Sequence, residues 1–157
     1  MSKTKVISIG EHRYELRKFL PAIGSFILMK LLSGATTGVD SEGRPSEAPD
    51  TKEFSETDWE KFVRGIVISA TARGLDLGTH ELIQRTCLTF CSRLETTGDS
   101  TVPMPIVNSN GVISIPELRD DMQTVLKLEI ESLVFNYASF FKHGGLNALA
   151  GEPPATA

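Results

Sequence analysis

The chain has 157 residues, 40% hydrophobic and 23% charged, a size and balance that suit one domain able to bury its own core without a metal or disulfide. Its 16 basic and 20 acidic residues give a net charge of −4, which argues against nucleic acid as the main ligand, because phosphate binding needs a basic surface. The opening MSKTKVISIGEHRYEL lacks the apolar core of a secretory signal, and no apolar run approaches the ~20 residues of a membrane span, so the expectation is a soluble protein that stays in the compartment where it is made.

Residues 5–19, KVISIGEHRYELRKF, read as a β-hairpin: Val6, Ile7 and Ile9 lead into Gly10-Glu11-His12, and Tyr14, Leu16 and Phe19 follow with alternating polarity. Leu20-Pro21 ends it, since proline breaks a strand ladder and suits a first helical turn. The following AIGSFILMKLL predicts a short helix with Ile23, Phe26, Ile27 and Leu31 on overlapping faces. Being apolar nearly all round, it is either central to the core or part of a subunit contact. Residues 33–56 are dense in Gly, Ser, Thr, Pro and Asp, the composition of a flexible insert.

A second helix begins at TDWE, where Thr57 and Glu60 match a capping box. Trp59, Phe62, Val63, Ile66, Val67 and Ala70 mark its buried stripe, and Gly74 stops it. A third is predicted over 79–95, capped by Thr79, with Leu82, Ile83, Cys87, Phe90, Cys91 and Leu94 inward. Cys87 and Cys91, four apart, could form a metal or redox pair. Buried core thiols are favoured over that reading, because His80 alone does not complete a zinc set and there is no CxxC. Reduced thiols fit a reducing cytosol.

The segment TVPMPIVNSNGVISIP predicts a second hairpin near 102–115 that turns at Asn110-Gly111, with Pro103 and Pro105 confining its first strand to a sheet edge. This hairpin is available to pair with the first. A last helix is predicted from Pro116 to about Phe141, with a stripe of Leu126, Ile130, Leu133, Tyr137 and Phe141. Gly144-Gly145 ends it, and residues 146–157 form a frayed tail. The expected fold is α+β and mainly helical, with an N-terminal hairpin and about four helices in a single domain over 1–145. No internal repeat is visible in the sequence.

Catalytic patterns fail on inspection. His143-Gly144-Gly145 lacks a nucleophile elbow, and its glycines already serve as a helix stop. Asp120 and Asp121, adjacent on a helix, diverge by ~100° and do not converge on one ion; they complement the helix dipole. His12 and His80 fit solvated polar positions. Neither a Walker A sequence nor GxGxxG occurs. The sequence therefore predicts a non-enzymatic protein with no cofactor and no metal, acting through a protein-binding surface, with a self-contained core and an oligomer interface both open for its apolar first and last helices.

The stretch LKLEIESLVFNYASFF resembles the C-terminal part of the tail assembly chaperones of tailed bacteriophages, through Leu133, Phe135, Asn136, Tyr137, Phe140 and Phe141. At the other end, YELRKFLPAIGSFILMKLL is similar to that family's early arginine-x-leucine-proline-alanine segment leading into an apolar helix. The NxNG hairpin is more β-rich than the family's middle. The resemblance implies a host-cytoplasmic, homo-oligomeric chaperone that coats the tape measure protein and recruits tail tube subunits, without nucleic acid or membrane as partner. A virion structural adaptor acting only by protein contacts is the alternative. An adaptable apolar surface for such a partner would draw on Phe26, Ile27, Met29 and Leu32, and on Phe135, Phe140 and Phe141; the insert could rearrange on docking. Aromatics at a helix end either lock that helix onto the hairpin or form a docking patch. Locking is favoured, with Phe140 and Phe141 partly exposed and Asn136 hydrogen-bonded to nearby backbone.

Overall fold

β1 (Thr4–Ile9) and β2 (His12–Arg17) form the expected N-terminal hairpin, closed at Gly10, whose φ of +61° fits the first central position of a two-residue turn. In this computed structural model residues 3–34, 55–72 and 76–143 are described. Most of the expected 33–56 insert, the Gly74 and Gly144-Gly145 stops and the 146–157 tail lie outside them. Pro21 opens α1 (Pro21–Gly34), as its fixed φ and missing N–H favour. The chain then contributes α2 (Glu56–Ala72), α3 (Leu77–Thr89), β3 (Cys91–Thr97), β4 (Ser100–Pro105), a 3₁₀ turn at Pro116–Leu118 and α4 (Met122–Lys142). The fold is α+β and mainly helical, with a four-stranded antiparallel sheet in the order β1-β2-β3-β4.

Several boundaries differ from the sequence reading for local reasons. Ser55 and Asp58, rather than Thr57 and Glu60, form the box at the start of α2. The Ser55 N–H donates to Asp58 Oδ2 at 3.0 Å, and the Asp58 N–H donates to Ser55 Oγ at 3.2 Å. Asp76, not Thr79, caps α3, accepting the Thr79 N–H at 2.6 Å. α3 stops at Thr89 because the chain from Cys91 pairs with β2: Leu16 lies opposite Cys91, and the Arg17 N–H donates to the Phe90 carbonyl at 2.9 Å.

The second hairpin is therefore β3–β4, turning at Gly98 (φ +63°), and it does pair with the first through β2 and β3. Only its second strand falls in the expected 102–115 region. Asn110-Gly111 is a turn, yet it closes a loop with one bridge, Val107 opposite Ile113. Asn108 organises that loop by accepting the Asn110 and Val112 N–H groups at 2.9 and 3.1 Å. The last helix is also split. After the 3₁₀ turn, Asp121 becomes the N-cap of α4 and accepts the Thr124 N–H at 3.1 Å.

Two apolar clusters meet along α4. One joins α1 to α4 through Ile27, Leu31, Val63, Val67, Ile83 and Leu133. The other packs the sheet against the first half of α4 through Tyr14, Leu16, Ile106, Val125 and Leu128. The buried ridge of α4 is Val125, Leu128, Glu129, Ser132, Leu133, Val134 and Tyr137, turned from the expected Leu126-Ile130-Leu133 line, with Leu126 and Ile130 only half-buried. Leu128→Ala should accordingly cost about 2–5 kcal/mol, as deletion of a fully buried leucine does. Leu126→Ala should cost clearly less, and urea denaturation of the two variants measures the difference.

Candidate functional site

The end of α4 is tied to the chain between β2 and α1 by three consecutive residues. Asn136 Oδ1 accepts the Phe19 backbone N–H at 2.7 Å, while its Nδ2 donates to the Ser132 and Arg17 carbonyls at 2.9 and 3.4 Å. The buried Tyr137 hydroxyl donates to the Gly24 carbonyl at 2.7 Å, and burial raises its pKa, which keeps it a donor. Lys18 Nζ donates to the Phe135 carbonyl at 2.5 Å and lies 4.0 Å from the Phe135 ring centroid. Burial lowers the Lys18 pKa.

Phe19 sits inside this clamp, edge-on to Phe90 and Tyr137 at centroid distances of 5.5 and 6.0 Å. Gly24 leaves room for it, since a Cβ there would meet Phe19 Cβ at 3.3 Å. The amide expected to satisfy nearby backbone does so across two elements.

The expected partner-binding residues separate into three groups. Phe26 and Met29 are exposed on the outer face of α1, at 44% and 48%, with Lys30 Nζ 5.6 Å from the Phe26 ring centroid. Leu32, Phe135, Phe140 and Phe141 are partly buried: Phe135 packs on the sheet-side cluster, the others on the helical one. Phe141 stacks edge-on with Phe62 and Phe140 at 6.2 and 5.2 Å. Ile27 is a correction. It is fully buried between the helices and offers no surface, because α1 turns its Ile27-Leu28-Leu31 ridge inward. Leu20, just before α1, is a further exposed apolar residue, at 65%. Its place beside Pro21 was the available sequence signal.

A cleft of about 420 Å³ lies between the hairpin, α2 and the end of α4, with Val134, Phe135 and Ala138 as its apolar part and Lys5, Lys18, Glu60 and Lys142 among its polar lining. Lys5 pairs with Glu60 at 3.5 Å and Lys142 with Glu56. Exposed pairs of this kind contribute little stability, so the lining is available to exchange partners. Sequence reading missed this cleft, because its residues come from β1, α2, the end of α4 and the link after β2.

Between α3 and α4 the fold buries a carboxyl. Glu129 is 2% exposed, with Gln84 Nε2 at 3.4 Å from Oε2 and His80 Nδ1 at 3.9 Å from Oε1. Burial raises its pKa above the ordinary 4.5, against the opposing pull of the His80 charge and the Gln84 hydrogen bond. Cys87 and Cys91 are buried beside it as free thiols. Desolvation pushes Cys87 well up and Cys91 to about 12, which makes them poor nucleophiles near neutral pH. The described residues contain no group of three or more His, Cys, Asp or Glu arranged to hold a metal. No described helix is long and apolar enough to cross a membrane.

Asn136→Ala leaves the Phe19 N–H without its acceptor and should cost about 1–3 kcal/mol, read by urea denaturation. Asn136→Asp keeps the acceptor but turns its second oxygen on the Ser132 and Arg17 carbonyls that the amide nitrogen satisfies, so it should not restore full stability at neutral pH. For Glu129 the folded pKa is raised, so the folded state holds its proton more tightly than the unfolded chain. The stability from that proton is complete below the ordinary glutamate range near pH 4.5 and is lost as pH rises through the folded pKa. Glu129→Gln should raise Tm at pH 8, where the buried carboxyl has to be deprotonated or hold its proton at a cost, and leave it nearly unchanged at pH 4; thermal melts at both pH values check this. Compared with known proteins, the chain matches no family model, no curated protein and no solved structure.

Proposed function

We propose that the protein is a tail assembly chaperone of a tailed bacteriophage. It acts in the host bacterial cytoplasm without catalysis, holding the tape measure protein soluble for the tail tube subunits that polymerise around it. The observation that carries this reading is the outer face of α1, where Phe26 and Met29 stand half-exposed on the helix that follows the family-like YELRKFLPA segment. An aromatic ring and a flexible thioether, side by side on a helix, make an adaptable docking surface for apolar helical stretches of changing sequence.

The aromatic end of α4 supports the same reading indirectly. Phe135, Phe140 and Phe141 are engaged in packing, which leaves α1 as the better-placed apolar surface. The mixed cleft beside α4 also favours polypeptide, since its Lys–Glu pairs can be traded for a partner's charged side chains. The adaptor reading shares this surface and differs in what is bound and in whether the protein remains in the particle.

The test is co-expression with a candidate tape measure protein, followed by size-exclusion chromatography with light scattering. The expected outcome is a soluble complex containing many copies where the tape measure alone precipitates. Phe26→Ser with Met29→Ser should abolish that complex while lowering the melting temperature by no more than about 4 °C, because exposed substitutions rarely exceed ±0.5 kcal/mol each. A tape measure that stays insoluble removes the chaperone reading in favour of the adaptor.

A further inference from the structure

The three lysines of the cleft beside α4 are not equivalent. Lys5 pairs with Glu60 at 3.5 Å and Lys142 with Glu56. Lys18 has no carboxylate beside it among the described residues. Its Nζ donates instead to the Phe135 carbonyl at 2.5 Å and stands 4.0 Å from the Phe135 ring centroid. An ammonium carries three N–H donors, and the carbonyl takes one of them. The ring attracts the charge without neutralising it. Burial lowers the Lys18 pKa with no acid nearby to oppose it, as for a cation short of negative charge.

The cleft as a whole repeats this imbalance, since its lining sets three lysines and His143 against two glutamates. Its apolar side comes from α4, where Phe135 and Ala138 are half-buried. A volume of about 420 Å³ lies at the small end of the roughly 300–1,000 Å³ of ligand pockets, which suits one or two side chains.

We infer that this cleft is the carboxylate receptor for a bound polypeptide: Lys18 takes an aspartate or glutamate side chain whose apolar neighbour packs on Phe135 and Ala138. One uncompensated ammonium matches a carboxylate better than a dianionic phosphate. A free organic acid would meet Lys18 and leave the Lys5–Glu60 and Lys142–Glu56 pairs as they are. A polypeptide brings charges of both signs at residue spacing and engages those pairs as well. The inference deepens the polypeptide-binding reading of the cleft and rests on it, but it does not require that the partner be a tape measure protein.

The experiment is an NMR titration of the purified full chain, whose 17.1 kDa suits backbone amide spectra. The probes are the capped peptide acetyl-Ala-Leu-Glu-Lys-Leu-amide, its glutamine counterpart, butyrate and inorganic phosphate. The expected result is saturable shifts around Lys18, Phe135 and Ala138 with a Kd of about 1 mM or tighter. The glutamine peptide should bind about fivefold more weakly or worse, because it forfeits the charge-assisted bond. That ratio is read on the wild-type chain and needs no variant to fold. Lys18→Met should bring the two peptides to within about twofold of each other, and Lys18→Arg should restore the preference. The chain with Phe26→Ser and Met29→Ser should bind the acidic peptide as the wild type does, so a failed co-expression and an empty cleft are separate results. Equal binding of the two peptides overturns the inference, as does a preference that survives Lys18→Met. Butyrate or phosphate binding as tightly as the acidic peptide overturns it too, since either assigns the cleft to a free anion.

Discussion

The fold depends on one amide. α4 is shared between two apolar clusters, one under the sheet and one among the helices, and apolar packing alone is too undirected to fix where along its length each cluster begins. Asn136 supplies the direction. Its oxygen takes the Phe19 N–H and its nitrogen reaches the Arg17 carbonyl while bonding back to Ser132 within α4, and any slide of α4 by a residue would break the bonds to Phe19 and Arg17 together. The Phe19 N–H also belongs to a stretch between strand and helix, where neither ladder nor helix can satisfy it. An unsatisfied buried group of this kind is expensive. Lys18 and Tyr137 bond on either side of that point, so the junction is held by a row of polar contacts inside an aromatic shell.

That junction was among the parts most legible in the sequence, because polar residues inside apolar runs announce a requirement. Asn136 amid Phe135, Tyr137 and Phe140 had to find partners. Gly10 between β-branched runs had to turn, and Pro21 after Leu20 had to start a helix. Where the sequence was apolar on every side, periodicity lost its power. Cys87, Phe90, Cys91 and Leu94 keep helical spacing, yet only the first lies in α3. Pairing with β2 overrides the pattern from Cys91 onwards. In α4 the apolar positions are so many that the expected stripe through Leu126 missed the buried one, and packing chose Leu128 along with the carboxyl of Glu129. No local signal marks that glutamate as buried. The same ambiguity affected the candidate surface, where Ile27 and Phe26 are neighbours of similar hydropathy and only the tertiary fold decides which faces inward.

With its amide and phenol committed to the β2–α1 junction, and Phe140 and Phe141 packed on Phe62 and each other, the aromatic end of α4 belongs mainly to the fold. The outward apolar side chains of α1 have no comparable structural duty. Phe26 has the Lys30 ammonium beside its ring, and a cation over an exposed aromatic keeps such a surface soluble while leaving the rest of the ring free for contact.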